Sequence, residues 1–191
     1  MILSTKTVLD LNKKHKLIEN LSDREKLNAE GVGIDIRVGE VYKLEGEGFL
    51  GVTDRKTPEE RKIADIKEGD KEVTLEPHDY VLVKTIEKVN IPSKKISIEE
   101  GEAPAHIMLD VHPRSTLQRC GIYFMGTKTD PGYSGELVFA LTNLSNSQFR
   151  LELGARIANI TFEQVVGDIV RAYDGQWKGG RVSAKKSEKQ N

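Results

Sequence analysis

The stretch Gly31-Val-Gly-Ile-Asp-Ile-Arg-Val-Gly39 predicts the first long β-strand of the chain and with it the fold class. Its apolar residues stand at every second position from 32 to 38 and alternate with Gly33, Asp35 and Arg37. A period of two is typical of a strand that buries one face. Glycines at both ends mark where such a strand would begin and end.

Similar short apolar stretches continue toward the C-terminus, separated by turn-forming residues. We expect strands at 73–75, 80–83, 96–98, 106–111, 121–125, 136–143, 149–153 and 156–163. Their regular spacing is typical of a sandwich or a barrel. Before the first strand, residues 5–19 have a helical period, and Ser4 or Thr5 is placed to cap that helix. The sequence therefore predicts a mostly β fold with an N-terminal helix.

The chain is predicted to form a single domain over residues 1–182. Residues 45–72 are poor in apolar residues and rich in charge, so we expect a surface excursion there, with a short helix near 58–64. Residues 183–191 are rich in lysine and polar residues, which is typical of a flexible tail.

The charge balance argues against two classes of partner. The chain has 29 Lys and Arg residues and 30 Asp and Glu residues, a formal net charge of -1. Proteins dedicated to nucleic acid or to a membrane surface carry a clear basic excess, so we expect neither partner. No apolar run approaches the ~18 residues of a membrane span. The first residues also lack the apolar stretch of a signal peptide, which predicts a cytoplasmic protein.

Cys120, the one cysteine, limits the chemistry of the chain. It excludes an intramolecular disulfide. It also excludes the zinc-dependent deaminase mechanism, which requires a pair of cysteines and a third ligand. Because Cys120 lies within an apolar stretch, it is predicted to be buried.

Polar and cationic side chains crowd into residues 112–119, His-Pro-Arg-Ser-Thr-Leu-Gln-Arg. Pro113 keeps the residue before it extended, so we expect a strand to end here and a helix to begin. Hydroxyls and main-chain amides at such a turn suit phosphate oxygens, and arginine adds charge-assisted hydrogen bonds. The alternative is an ordinary helix N-terminus in which Ser115 or Thr116 is the cap.

Residues 126–135, Gly-Thr-Lys-Thr-Asp-Pro-Gly-Tyr-Ser-Gly, contain a second candidate site. Asp130 precedes a Pro-Gly pair, which predicts a type II turn with Gly132 at the position of positive φ. Such a turn would hold the carboxylate of Asp130, which can activate water. It would also hold the ring of Tyr133, which can pack on a sugar or a base. The alternative is a tight hairpin turn without a functional role.

A third stretch, Leu153-Gly-Ala-Arg-Ile-Ala-Asn159, predicts a turn that leads into a strand. Its arginine, Arg156, has the sequence context of a buried residue. The simplest role for Arg156 is structural, as the partner of a carboxylate such as Asp35.

In this order and spacing, Pro113-Arg-Ser, Asp130-Pro-Gly-Tyr-Ser-Gly and Gly154-x-Arg-Ile-Ala resemble the motifs of the dUTP diphosphatase (dUTPase) and dCTP deaminase superfamily. The opening Met-Ile-Leu-Ser is similar to the deaminase branch. The resemblance implies a distorted jelly roll of the β-clip, dUTPase-like kind. It also implies a homotrimer with active sites at the subunit interfaces.

The resemblance implies two possible reactions, and particular positions distinguish them. Diphosphatases of this superfamily use an aspartate, here Asp130, to activate water for attack on the triphosphate. Deaminases use a glutamate ten residues further on, where this chain has Ala140. Glu136 lies on the same strand face as Ala140, but four residues span ~13 Å, which is too far for the same proton transfer. Tyr133 is also typical of the diphosphatases, since deaminases more often have tryptophan there.

We therefore expect hydrolysis of dUTP to dUMP and pyrophosphate, with Mg²⁺ held by the triphosphate and water rather than by direct protein ligands. By resemblance Asp130 is catalytic, whereas Asp35 and Arg156 are expected to be structural. The expected substrate-binding residues are Arg114, Ser115, Thr116, Arg119, Tyr133, Val138, Ala140, Asn159, Tyr173, Gln176, Lys178 and Arg181. Residues 173–182 resemble the segment that closes over nucleotide in the superfamily. Asn159 stands where diphosphatases usually have glutamine.

Other functions remain open at this point. A dCTP deaminase, or a bifunctional enzyme that converts dCTP to dUMP, would need an acid from a facing subunit or from residues 45–72. A nucleotide-binding regulator without catalysis would not need the water-activating Asp130. Ammonia release from dCTP would indicate a deaminase, and binding of dUTP without pyrophosphate release would indicate a regulator.

Overall fold

Strands dominate the computed structural model, which describes residues 1–184 and 186–190. The helices are α1 (Thr5–His15), α2 (Asp23–Asn28) and α3 (Ser115–Arg119), with a 3₁₀ turn at Ile66–Glu68. The strands are β1 (Ile18–Glu19), β2 (Gly33–Glu45), β3 (Phe49–Leu50), β4 (Asp54–Lys56), β5 (Glu59–Asp65), β6 (Glu72–Leu75), β7 (Tyr80–Asn90), β8 (His106–Pro113), β9 (Ile122–Met125), β10 (Ser134–Asn143), β11 (Phe149–Glu152), β12 (Arg156–Val165) and β13 (Glu188–Lys189). The predicted mostly β fold with an N-terminal helix is confirmed.

Strand β2 organises the main sheet because it is long enough to pair with different strands along its length. Its first half pairs antiparallel with β12, from Gly33 opposite Thr161 to Arg37 opposite Arg156. From Val38 onward, β2 pairs with β7 and then also with β5. Within the described residues the sheet runs β8-β12-β2-β7-β10-β9, with β1 joined to β7 and β5 joined to β2. The result is the nearly closed, barrel-like sheet of a distorted jelly roll.

The interior of this sheet is filled by the apolar residues that the alternating patterns predict. Ile34, Ile36 and Val38 of β2 are at most 1% exposed. Helix α1 covers part of the core with Val8 and Leu11. Burial of an aliphatic side chain of this size is worth roughly 1.5–3 kcal/mol, which explains why the strand register follows the apolar positions.

The N-terminal helix is shorter than the predicted 5–19. Ser4 is the N-cap, and its hydroxyl accepts a hydrogen bond from the amide of Thr7 at 3.2 Å. The helix ends at His15 because Lys16 adopts a left-handed conformation, with φ of 52°. The next residues turn into β1, which pairs with β7. In the part of the chain that the structure describes, no helix has the length and apolar composition to span a membrane.

The predicted helix near 58–64 is wrong, because Glu59–Asp65 form β5 and pair with the second half of β2. Its run of charged residues suits a sheet edge, where charge prevents further strand pairing. The predicted strand at 96–98 is reduced to a single bridge between Ile96 and Ala105. Cys120, predicted to be buried, is exposed because it follows the short helix α3 at the surface.

The described residues of the tail predicted for 183–191 make specific contacts with the 45–72 excursion. Ser183 and Ala184 are only 2% and 1% exposed. Strand β13 pairs antiparallel with β4, which belongs to the 45–72 excursion. Residues 185 and 191 of the predicted tail lie outside the described residues. The sequence could not show this packing because it depends on the excursion, whose own strands were not predicted.

Arg37 and Glu87 form an ion pair that joins β2 to β7. The carboxylate of Glu87 accepts hydrogen bonds from the amide of Arg37 at 2.7 Å and from its Nε at 2.6 Å. Glu87 is 1% exposed, and burial raises its pKa despite these bonds. The raised pKa means that the ionised carboxylate depends on its guanidinium partner.

We expect Arg37→Met to lower the free energy of unfolding by about 3–5 kcal/mol at neutral pH, because it leaves a buried charge without its partner. The loss should shrink toward about pH 5, because removal of the guanidinium raises the folded-state pKa of Glu87 further, and the protonated carboxyl then leaves no buried charge in the variant. Urea unfolding at fixed protein concentration measures both values. Arg61→Met is the control, because Arg61 and its partner Glu45 are both more than half exposed. An equal loss in the free energy of unfolding at neutral pH and at pH 5 would contradict the role of Arg37 as the partner of the buried Glu87 charge.

Candidate active site

A cavity of about 530 Å³ lies against the outer face of the main sheet. Its apolar wall includes Leu44, Leu82 and Val138, which come from β2, β7 and β10. Lys128 and Asp130 lie at its polar side. An apolar wall with a small number of polar groups on one side is typical of a small-molecule site.

Asp130 is held at the start of the turn that leads into β10. Just before it, Thr129 exchanges two backbone hydrogen bonds with Leu109, at 2.7 and 3.0 Å. The carbonyl of Asp130 accepts a hydrogen bond from the amide of Tyr133 at 3.1 Å, and Gly132 has φ of +101°. The Pro-Gly pair therefore forms a tight turn with positive φ at its glycine, as its sequence predicts, and fixes the backbone that carries the carboxylate.

The Asp130 carboxylate is paired with Lys128, which the sequence analysis did not single out. The Nζ of Lys128 contacts Oδ1 of Asp130, and both side chains are about half exposed. They are two positions apart in extended chain, with only Thr129 between them, so both side chains point to the same side. This spacing of two was the signal in the sequence that could have identified Lys128.

Tyr133 packs into the wall beside Asp130. Its hydroxyl donates a hydrogen bond to the carbonyl of Glu136 at 2.6 Å, and burial raises its pKa to about 12. Its ring lies 5.9 Å from the ring of Tyr173, centroid to centroid. The phenol is therefore neutral at physiological pH, and its ring rather than its charge is available to a ligand.

A second cluster surrounds the buried carboxylate of Asp35, which is 3% exposed. Its Oδ2 accepts hydrogen bonds from Nη1 of Arg114 at 2.5 Å and from Nη1 of Arg156 at 2.8 Å. Its Oδ1 accepts from Nδ2 of Asn159 at 2.8 Å. The structure thus places Arg156 against the carboxylate that the sequence suggested, and it adds Arg114 and Asn159 to the same centre.

Helix α2 brings a further ion pair to this centre. The carboxylate of Glu25, 1% exposed, accepts a hydrogen bond from the amide of Asp35 at 3.1 Å and contacts Arg24. Nη1 of Arg24 lies 3.8 Å from Oδ2 of Asp35. Arg24 and Glu25 carry no signal in the sequence, because α2 has too few turns to show a helical period.

The polar block at 114–119 forms the turn from β8 into α3. Arg114 is the N-cap residue, and its side chain makes no capping bond, so the alternative with Ser115 or Thr116 as the cap is not what the structure has. Ser115, Thr116 and Arg119 are exposed. The carbonyl of Ser115 accepts a hydrogen bond from Nη1 of Arg119 at 3.1 Å. In this chain the block does not line the cavity that contains Asp130.

Ala140 lies on β10 between apolar neighbours, with Leu82 opposite it on β7 and Met125 opposite it on β9. The carboxylate of Glu136 lies next to Gly180, where a Cβ would be 2.7 Å from Oε2. The surroundings of Ala140 in the sheet are therefore apolar. The carboxylate of Glu136 points toward Gly180 in the C-terminal segment.

The C-terminal segment, residues 173–184 and 186–190, passes over the turn that carries Asp130. The amide of Tyr173 donates to the carbonyl of Pro131, and that of Gly179 to the carbonyl of Ser134, both at 2.7 Å. These bonds bring Tyr173 to the cavity. A Cβ at Gly135 would lie 2.4 Å from the nitrogen of Gly180, so the close approach requires glycine there.

The predicted residues of this segment have different positions. Tyr173 and Arg181 line the cavity together with Asp130. Arg181 donates from Nε to the carbonyl of Ser183 at 2.8 Å. Gln176 instead donates to the carbonyl of Lys189 at 3.2 Å, and Lys178 pairs with Asp174 at 3.5 Å. Gln176 and Lys178 lie outside the cavity wall.

No group of three or more His, Cys, Asp or Glu side chains in the described ranges is close enough to hold a metal ion. Asp130 provides a carboxylate at the cavity, and Thr127 and Thr129 lie beside it. Oxygen donors of this kind suit a hard cation such as Mg²⁺, which keeps several waters and is commonly bound through substrate phosphates.

Comparisons with known proteins identify relatives of the whole fold. A sequence model of the dCTP deaminase-like family matches residues 2–165. The chain is 30% identical over 169 residues to a dCTP deaminase of Thermococcus kodakarensis, covering 88% of this chain and 89% of that one. It is 35% identical over 147 residues to a probable deoxyuridine 5′-triphosphate nucleotidohydrolase of Aeropyrum pernix, covering 77% and 82%. A solved 2′-deoxycytidine 5′-triphosphate deaminase from Agrobacterium tumefaciens has the same fold, with a TM-score of 0.59, 15% identity and coverage of 84% of this chain and 47% of that one.

The contact between Gly33 and Asn159 gives a test of the Asp35 cluster. A Cβ at Gly33 would lie 1.7 Å from Oδ1 of Asn159, so Gly33→Ala should push the amide away from Asp35. We expect the free energy of unfolding to fall by about 1–3 kcal/mol. The double variant Gly33→Ala/Asn159→Ala should recover part of this loss, because it removes the clashing atoms.

Chemical unfolding of the single and double variants measures the effect. Gly48→Ala is the matched control, since the nearest atom to its added Cβ would be Cδ of Pro58 at 3.4 Å. Equal destabilisation by the single and double variants would show that the clash with Asn159 is not what costs stability.

Proposed function

The chain belongs to the dCTP deaminase-like family, and we propose that its reaction is the hydrolysis of dUTP to dUMP and pyrophosphate. The observation that carries the proposal is the contrast between two positions. A carboxylate, Asp130, stands at the polar side of the cavity. At the position where deaminases of this superfamily have their glutamate, the chain has Ala140 between Leu82 and Met125.

Asp130 has the surroundings that a water-activating base needs. Its side chain is 43% exposed, so water reaches it from the cavity. The rigid turn at Gly132 fixes its direction, and a fixed base is effective when it lies about 3 Å from the proton that it removes. Lys128, which pairs with the carboxylate in the free protein, can turn to the triphosphate when substrate binds.

The rest of the cavity suits a deoxynucleotide. The ring of Tyr133 would pack under the deoxyribose, and the strand backbone from Val138 to Ala140 would contact the edge of the uracil. Arg181 lies on the cavity wall and offers a cation to the phosphates, for which arginine is well suited. In this arrangement the base lies on the sheet and the triphosphate lies toward Asp130.

The remaining phosphate ligands are proposed to come from a neighbouring subunit. These residues do not line this chain's cavity, yet they form a cationic and hydroxyl-bearing surface in which Ser115, Thr116 and Arg119 are exposed and Arg114 is half-buried. A homotrimer with sites at its interfaces would bring this surface of one subunit to the Asp130 cavity of the next. Arg114 would then be oriented by Asp35 behind it.

Mg²⁺ is proposed to be bound with the nucleotide, where it would offset the negative charge that develops on the phosphates. The protein's own part is to position the phosphates with arginine, lysine and hydroxyl groups. Asp130 orients the attacking water and takes its proton. The deamination step has no corresponding group at Ala140, so dCTP should not be converted.

A dCTP deaminase is the second candidate, because relatives such as that of Thermococcus kodakarensis carry that name. The relative from Aeropyrum pernix, named as a probable dUTP nucleotidohydrolase, favours the first. A deaminase would have to place another acid beside the cytosine ring. The two functions differ in their product, since deamination releases ammonia and diphosphatase action releases pyrophosphate.

We expect Asp130→Asn to lower kcat for dUTP by about 10²–10⁴-fold, the usual contribution of a general base. KM should change little, because the amide keeps the size of the side chain. Pyrophosphate and ammonia are measured in parallel for dUTP and dCTP with Mg²⁺ present. Removal of Mg²⁺ with a chelator should abolish the activity of the wild type.

Asp168→Asn is the matched control, since Asp168 is 85% exposed and pairs with Lys95 outside the cavity. Its activity should equal that of the wild type. Undiminished pyrophosphate release by Asp130→Asn would remove Asp130 as the base. Ammonia release from dCTP by the wild type would favour the second candidate.

A further inference from the structure

The 45–72 excursion contacts the end of the chain through a small sheet of its own. Within the described residues this sheet has the order β13-β4-β3. The amide of Gln190 donates to the carbonyl of Thr53 at 2.8 Å, and the amide of Ala184 donates to Oγ1 of Thr57 at 2.6 Å. The hydroxyl of Ser183 contacts Glu60. We call residues 49–60 the platform, because the C-terminal segment lies along them.

A stacked aromatic residue joins the platform to the segment. The guanidinium carbon of Arg55 lies 4.9 Å from the ring centroid of Trp177, and that of Arg181 lies 5.9 Å from it. Nε and Nη2 of Arg55 are buried, and neither has a hydrogen-bond partner among the residues described. The ring is therefore the main group facing this guanidinium, and cation–π attraction is strongest when the cation is desolvated.

The platform and the segment both contribute to the wall of the cavity that contains Asp130. Thr57 and Pro58 come from the platform, and Trp177, Arg181 and Ser183 come from the segment. Arg181 is held between two groups of the segment, because its guanidinium carbon lies 5.9 Å from the ring centroid of Trp177 and its Nη2 donates to Glu188 at 2.5 Å. Displacement of Trp177 would therefore displace Arg181.

We propose that the platform holds the C-terminal segment over the cavity and that Arg55 is a positioning residue for substrate binding, acting through Trp177 on Arg181. The excursion then has a specific role, since it is the surface on which the closing segment docks. The role of Arg55 in substrate binding rests on the proposed function. The docking of Trp177 on Arg55 does not, and it can be measured separately.

Trp177 is the only tryptophan in the chain, so intrinsic fluorescence reports its surroundings directly. We expect Arg55→Ala to raise the acrylamide quenching constant of Trp177, because the ring loses its cover. Arg55→Lys should restore much of the protection, since lysine keeps the cation. Arg61→Ala is the control, because Arg61 belongs to the excursion but pairs with the exposed Glu45.

The kinetic readout on dUTP separates positioning from a general loss of structure. Arg55→Ala should raise KM by about two- to thirty-fold, the factor that corresponds to the loss of one cation–π contact, with a smaller change in kcat. Thr57→Val is the second variant, because it removes the hydrogen bond to the amide of Ala184 and leaves Arg55 in place. It should also raise the quenching constant.

The outcomes distinguish the two proposals. If the acrylamide quenching constants of Arg55→Ala and Thr57→Val both equal that of the wild type, the docking role of the platform is overturned, whatever the activity. Increased quenching with an unchanged KM would overturn the role of Arg55 in substrate binding. A wild type that hydrolyses no dUTP would contradict the proposed function, and the quenching comparison would still decide whether the platform holds the segment.

Discussion

The hydrogen bonds around the buried carboxylate of Asp35 are the interaction that positions the cationic block at residues 114–119. A charge that is removed from water costs several kcal/mol unless charged and polar partners surround it. Asp35 satisfies this requirement with Arg114, Arg156 and Asn159. These donors come from the turn before α3 and from β12, whereas Asp35 lies on β2. One carboxylate therefore fixes the relative positions of the elements that carry the cationic block.

The Asp130 cavity depends on a different constraint, the conformational freedom of glycine. Gly132 allows the tight turn that carries the carboxylate, and Gly135 allows the C-terminal segment to pass within backbone contact. The Asp130 carboxylate and the segment that passes over it are thus held by the same turn. The outer face of the sheet provides the apolar wall, so under the proposed function the turn would supply the chemistry and the sheet would supply the recognition.

The sequence predicts most of the sheet because its strands are short apolar runs separated by turn residues, and β2 also alternates between apolar and polar residues, as in Ile34-Asp35-Ile36. It also predicts the Asp130 turn, whose Pro-Gly pair permits few conformations. It fails for β5, since Glu59–Asp65 pair at a sheet edge where charge rather than burial determines the residues. It misses Arg24 and Glu25 because α2 has too few turns to show a helical period, and it misses the contact between Arg55 and Trp177 because these two residues are distant in the chain. A contact between residues that are far apart in the sequence forms only in the tertiary structure, so no local pattern of apolar and polar residues predicts it.

The proposed reaction cleaves the triphosphate of dUTP and leaves the base unchanged. It is tested by running the reaction in ¹⁸O-labelled water with dUTP and dCTP together and analysing the products by mass spectrometry. We expect one labelled oxygen in the phosphate of dUMP or in pyrophosphate, an unlabelled uracil and unreacted dCTP. A label in the base of a uridine nucleotide, with loss of dCTP, would contradict it.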